Sequence, residues 1–312
     1  MSLPKNKLMV MMIFLLAAGL VNGCGGDSKK ESSEEDFRVP DSLLAPMEGY
    51  GILVDEYHPV RGGVIANKDI ALHYPPSNIA KFISTNNFGY AYEADQEVVK
   101  HIGRPADGQV VIIGAKDLAE YKYLTKKDWW HCGVIQGDTL YFMPFNIMMQ
   151  RYDIFTRRSL AQIGLTQKLA QMALNRKSDG KIPTWLREGI ASFVANEKPI
   201  LQMQAIEFET EMLGFNPEVE ELDRHLDMVE DRAFVRVSSY IAYTMFERLM
   251  ESFTLKEILS FVGKLGEEKS LDQASGEVFG MDYVSMIEKI KLEDDFTVYL
   301  KDVPRGRPGE DR

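Results

Sequence analysis

Hydrophobic and polar positions divide this chain into three stretches. A basic start, Lys5 and Lys7, leads into an uncharged apolar run from Leu8 to Val21. That run is too short for a comfortable membrane-spanning helix and has the size of an export signal's apolar core. From Gly49 to Pro144 the signals are mixed. Ile70-Ala-Leu-His-Tyr74 alternates apolar with polar and stops at Pro75-Pro76, which predicts a strand. Residues 77–102 read as helical, at least in their second half, closed by His101 in the last turn, Gly103 after it and Pro105 beyond. Val110–Ile113 predicts a buried strand and Lys116–Tyr123 a short helix. Gly133–Gln136 and Thr139–Met143 predict a β-hairpin turning at Gly137-Asp138. After Phe145 the period becomes helical: 156–174, with Leu160, Ile163, Leu169 and Met172 as its apolar set, then a helix opened by Pro183 and Thr184 and running to Ala195. Periodicity is weak over 201–232. Helices resume at 233–251, 255–265, 271–279 and 283–291, and residues 301–312 form a polar tail. The expected class is α+β: a mixed N-terminal α/β part at 49–150, with a small sheet, packed against an all-helical part at 151–300.

Composition narrows the functions. Of 312 residues, 45% are hydrophobic, which is too many for a disordered chain, and charges are too dispersed for a protein of many membrane spans. The net charge of −11 and a pI near 5.1 argue against a general nucleic-acid binder. Two cysteines exclude a disulfide scaffold.

One of those cysteines changes the picture of the N-terminus. Val21-Asn22-Gly23-Cys24 resembles a bacterial lipobox, which implies cleavage before Cys24 and lipidation of its thiol. An ordinary signal peptide with an incidental cysteine is the alternative. Gly25–Asp36 (GGDSKKESSEED) favours the lipoprotein, being a polar tether unable to pack a core. The expected organisation is therefore a signal peptide at 1–23, a lipid-anchored tether at 24–48 and a folded domain at 49–300. Removing residues 1–23 takes away two lysines and no acid, so the charge becomes −13 (34 basic against 47 acidic side chains). The exported chain would lie on a bacterial envelope membrane, either the outer membrane or the periplasmic face of the inner one, without spanning it. Gly25 in place of Asp carries no inner-membrane retention signal.

The sharpest local signal is Ile182-Pro-Thr-Trp-Leu-Arg-Glu-Gly-Ile-Ala-Ser-Phe193. It resembles the P-x-W-L-x-E-G-x-A segment of gluzincin-type zinc metallopeptidases, in particular the peptidase-MA-like family. The resemblance extends more diffusely over residues 65–300 and implies a gluzincin-like fold. It implies that Glu188 occupies the third zinc-ligand position and that Gly189 and Ala191 let its helix approach the one bearing H-E-x-x-H. Such enzymes hold zinc on two histidines at i and i+4, with a glutamate between them to activate water. The helix in that place here has no histidine, and none occurs between His131 and His225. The best register places Gln167 and Gln171 at the ligand positions and Lys168 at the general-base position. An amide is a poor zinc ligand and an ammonium cannot act as a base. The expectation is a peptidase-like domain without its metal, in which Lys168 pairs with Glu188 where zinc would lie. It would act in binding a peptide or protein, in the former cleft, or in scaffolding. The alternatives are an active metallopeptidase that holds zinc by non-standard ligands, and a purely structural envelope protein.

Other candidates have plainer readings. Tyr240 and Tyr243 fall where gluzincins often place an oxyanion-stabilising tyrosine; with the metal site dismantled, a core role is favoured for both. His131-Cys132 are neighbours that a strand would point to opposite faces, so a shared ion is disfavoured and Cys132 reads as a buried thiol. Glu221 and His225 read as a solvated helical pair, His101 as a helix-end cation, and Trp129-Trp130 as core or interface. His58 and His73 show no partner pattern. Residues 157–187 hold seven bases and one acid, while 201–232 hold ten acids and two bases. The acidic segment is expected to fold over the basic helices and partly close the cleft, against two separately solvated faces.

Overall fold

Gly63 to Ala66 and Ile70 to Tyr74 form an antiparallel pair, β1 (Gly63–Ala66) and β2 (Ile70–Tyr74), in a computed structural model that describes residues 63–75, 78–128, 131–144, 160–228 and 231–300. Asn67 shapes the turn between them, its side-chain oxygen accepting from the N–H groups of Asp69 and Ile70, each at 2.8 Å. Helix α1 (Asn78–His101) carries the chain back so that β3 (Val110–Gly114) runs parallel to β2. Helix α2 (Leu118–Thr125) follows, with Asp117 accepting from the Glu120 N–H at 2.9 Å as its cap. The hairpin β4 (Gly133–Gln136) and β5 (Thr139–Phe142) turns at Gly137, whose φ of 59° suits a residue without Cβ. The sheet order is β1-β2-β3-β5-β4, parallel inside and antiparallel at both edges. Apolar residues fall in register across it. Ile70 lies opposite Val110, and Leu72, Ile112 and Leu140 share one row, all buried.

The remaining described elements are helical: α3 (Leu160–Lys177), α4 (Thr184–Val194), α5 (Lys198–Glu207), α6 (Val219–Asp227), α7 (Arg232–Ser252), α8 (Leu255–Gly266), α9 (Leu271–Phe279), α10 (Tyr283–Ile290) and a closing 3-10 turn at Phe296–Leu300. Thr254 with Glu257 and Ser270 with Gln273 form capping boxes that start α8 and α9. Helix α3 packs on α1, α4, α8 and the edge strand β4, while α7 packs on α4, α5 and α6. One apolar core runs from Ile70 and Leu72 through Trp185, Phe246 and Phe261 to Leu300. The protein is thus α+β, a small mixed sheet followed by helices.

The pattern of residues missed β1, a four-residue edge strand, and left 201–232 nearly blank. Most of α5 and all of α6 lie there. Helix α6 hides its apolar stripe because His225 belongs to it. His225 is buried, stacked on Phe215 at 5.3 Å and tilted against Phe234 at 4.9 Å, beside buried Leu222. The expected solvated Glu221–His225 pair is corrected accordingly: only Glu221 faces water, 3.8 Å from the imidazole. His101 lies in the last turn of α1, 3.0 Å from Glu97. The signal peptide, Cys24, the tether, His58, Trp129-Trp130 and the polar tail lie outside the described residues. No helix among the described residues is long and apolar enough to cross a membrane.

Candidate functional site

Residues four apart on a helix share a face, so α3 presents Gln167 and Gln171 together, toward α4. Glu188, in the second turn of α4, receives both. Its Oε1 accepts from Gln167 Nε2 at 2.9 Å and from Ser239 Oγ at 3.2 Å, and its Oε2 accepts from Gln171 Nε2 at 2.6 Å. The amide oxygens turn the other way and find donors of their own. Gln167 Oε1 accepts from Cys132 Sγ at 3.8 Å and Gln171 Oε1 from Lys168 Nζ at 3.1 Å. An ionised carboxylate only accepts and an ammonium only donates, so both amides have one consistent orientation. Each amide is polarised at its oxygen and donates at its nitrogen, which strengthens the bond to Glu188.

The expected Lys168–Glu188 ion pair is not formed. No carboxylate lies within 4 Å of Lys168 among the described residues, and its hydrogen bond goes to an amide. Lys168 follows Gln167 by one residue, about 100° around the helix, so Gln171 stands between it and Glu188.

The segment carrying Glu188 is fixed from several sides. Trp185 is fully buried, and its indole N–H donates to Tyr283 Oη at 2.9 Å. Pro183 offers no side-chain cap to α4. Asp223 of α6 does so instead, accepting from the Trp185 N–H at 2.6 Å, while Asp227 accepts from Thr184 Oγ1 at 2.5 Å and from Arg187 at 2.8 Å. Burial pushes the Asp223 carboxyl up to about 6 despite the N–H bonds that oppose the shift. Gly189 is needed for close approach, but toward a different helix than expected. A Cβ there would lie 2.8 Å from the Ala242 carbonyl oxygen and 2.7 Å from Phe246 Cβ, both on α7 rather than α3.

A cavity of about 100 Å³ opens in front of Glu188. Lys168, Arg187 and Arg236 supply its cations, with His131, Cys132 and Ser239 among its polar walls. His131 and Cys132 precede β4 rather than lying on it, so both reach this wall, which corrects the opposite-face expectation. Burial first, then Lys168, Lys127 and Arg236, push the His131 imidazole down to about 3, so it is neutral. Burial raises the Cys132 thiol. Behind the site, buried Glu197 accepts from Ser192 Oγ at 2.9 Å, and Ser192 Oγ lies 3.5 Å from Gln167 Nε2. Burial and the charge of Glu188 push Glu197 up to about 7.

Tyr240 and Tyr243 are buried on α7 away from the cavity wall. Tyr240 donates to the Tyr299 carbonyl at 3.0 Å, and Tyr243 lies under Lys198. The α7 residues that do reach the cavity are Val235, Arg236 and Ser239. Among the described residues the acidic segment reaches it through Leu226, and its helix packs on α4 and α7. Sequence reasoning missed Ser239, Arg236 and Glu197, which carry no spacing signal relative to Glu188, and Ser192, whose signal was its place four residues after Glu188 on α4.

The side chains present do not fit a zinc ion. Around Glu188 stand two amides and a hydroxyl donating to it, and three cations that repel a dication line the cavity before it. Among the described residues no three His, Cys, Asp or Glu side chains are grouped to hold a metal. No protein-family profile and no curated protein sequence matches the chain.

Proposed function

We propose that this chain is a membrane-anchored lipoprotein of the bacterial envelope. Its domain resembles a gluzincin metallopeptidase of the peptidase-MA-like kind, lacks peptidase activity and binds a peptide or protein segment in the former cleft. The observation that carries this reading is the clasp on Glu188. Glu188 is the carboxylate in the Pro-x-Trp-Leu-x-Glu-Gly segment, and its oxygens are occupied by the amides of Gln167 and Gln171 and by Ser239. An i, i+4 pair that would offer nitrogen lone pairs to a metal in a peptidase here offers N–H donors to the carboxylate. Lys168, between them in sequence, is a cation where the reaction needs a base. Lipidation at Cys24 would place the domain at the membrane surface, with residues 25–48 as its reach.

Zinc content of the purified chain, with peptide hydrolysis measured with and without a chelator, tests the reading. The expected outcome is zinc far below stoichiometric and no chelator-sensitive hydrolysis. Stoichiometric zinc, with hydrolysis abolished by the chelator and by Glu188→Ala, would establish an active metallopeptidase instead. Acylation is tested by mass spectrometry of the N-terminal peptide and by its loss in Cys24→Ser.

A further inference from the structure

The cavity before Glu188 has the opposite polarity from a metal site. Among the described residues Lys168, Arg187 and Arg236 line it against one carboxylate, Glu188. Asp227 engages Arg187 at 2.8 Å, and the three cations still outnumber the one carboxylate among the described lining residues. The oxygens of Glu188 already accept from Gln167, Gln171 and Ser239. Among the described residues the Lys168 ammonium has no carboxylate within 4 Å, and it donates to the Gln171 amide oxygen. Its stem is held across Gly133, where a Cβ would stand 3.3 Å from Lys168 Cγ. A charge-assisted partner for an ammonium half-withdrawn from water is an anion.

We infer that this cavity is a binding site for one carboxylate group carried by a peptide, with Lys168 and Arg236 as the cations that receive it. The inference rests on the preceding reading in taking a peptide as the occupant. The size agrees: about 100 Å³ holds roughly three waters, close to a carboxylate and the atoms that carry it. A doubly charged phosphate would sit less well, facing the Glu188 carboxylate on the same wall. The neutral His131 on the same wall is consistent with a positive field and serves as its reporter.

The test titrates the full chain with N-acetyl-Ala-Ala-Ala bearing a free C-terminal carboxylate, with its C-terminal amide, with the amide of N-acetyl-Ala-Glu-Ala, and with inorganic phosphate. Affinity is read by calorimetry, and the His131 ring by NMR, assigned with His131→Gln. At least one carboxylate peptide is expected to bind at least about tenfold tighter than the uncharged amide and to raise the pH midpoint of His131. Lys168→Met and Arg236→Gln should each weaken that binding about tenfold or more, while Lys168→Arg retains it. Preference for the free chain end or for the glutamate peptide distinguishes the two sources, and either supports the site. Equal affinity for all three peptides, full binding by a folded Lys168→Met, or phosphate outcompeting both carboxylates would overturn it. Zinc analysis of the same sample separates the two readings. Stoichiometric zinc with carboxylate binding intact removes the preceding reading alone, and no zinc with no carboxylate binding removes this one alone.

Discussion

Helix α4 meets acids in two places and satisfies them differently. At its N-terminus the carboxylates come from α6. Asp223 accepts a backbone N–H, and Asp227 takes a hydroxyl and a guanidinium. One turn further along, Glu188 is the helix's own carboxylate, and its donors are two amides and a hydroxyl from α3 and α7. The first arrangement is a helix cap reinforced by an ion pair, in which the positive end of α4 meets negative charge. The second spends two buried amides, each bound at its far end to Lys168 or Cys132, on a single carboxylate. Capping needs charge near an axis, whereas the clasp needs particular atoms in particular places. The acids of 201–232 thus have an architectural use at one end of α4, and the glutamines of α3 hold the site.

The largest predicted effect breaks the clasp. Gln167→Leu with Gln171→Leu leaves Glu188 with one donor and is expected to cost about 3–5 kcal/mol in chemical denaturation at neutral pH. Adding Glu188→Leu should recover much of that loss, because the orphaned charge leaves with it.

The next effect is in pH. Glu197 is raised from 4.5 to about 7, so the folded chain prefers its protonated form. Its contribution is fully present below about 4.5 and is lost as pH rises through about 7, a change on the order of 3 kcal/mol. The difference in unfolding free energy between Glu197→Gln and the parent should therefore grow in favour of the variant from pH 4.5 to 8. A difference independent of pH would remove Glu197 from the buried cluster.

At the other end of α4, Asp223→Ala removes the cap and should cost about 1–2 kcal/mol. The smallest change is expected for Arg187→Gln, which breaks a part-exposed pair with Asp227 worth about 0.2–1 kcal/mol. If Asp223→Ala proved costlier than the double glutamine change, the contrast between cap and clasp would be reversed.

Elements with strong local periodicity were legible residue by residue. Ile70–Tyr74 stops where its prolines require, Leu271–Phe279 lies between Ser270 and Gly280, and the hairpin turns at Gly137. Helix α6 was not legible, because its buried histidine counts as polar until Phe215 and Phe234 close around it. At the site, spacing on α3 and the Trp185–Gly189 segment pointed to Gln167, Gln171 and Glu188. It pointed equally to a Lys168–Glu188 pair that the helix geometry does not make. Ser239 and Arg236 come from a helix some fifty residues further along, and no one-dimensional pattern links them to Glu188.

Local sequence determined where most strands and helices begin and end, because caps, prolines and apolar periods act over a few residues. It also determined that α3 carries two glutamines on one face and no histidine. Tertiary structure decided the hydrogen-bond partners of Glu188 and the helix against which Gly189 packs. It also decided which cations face the cavity and that Glu197 is buried behind it. Those outcomes depend on how α3, α4, α6 and α7 pack, and packing is set by shape and charge brought together from distant parts of the chain.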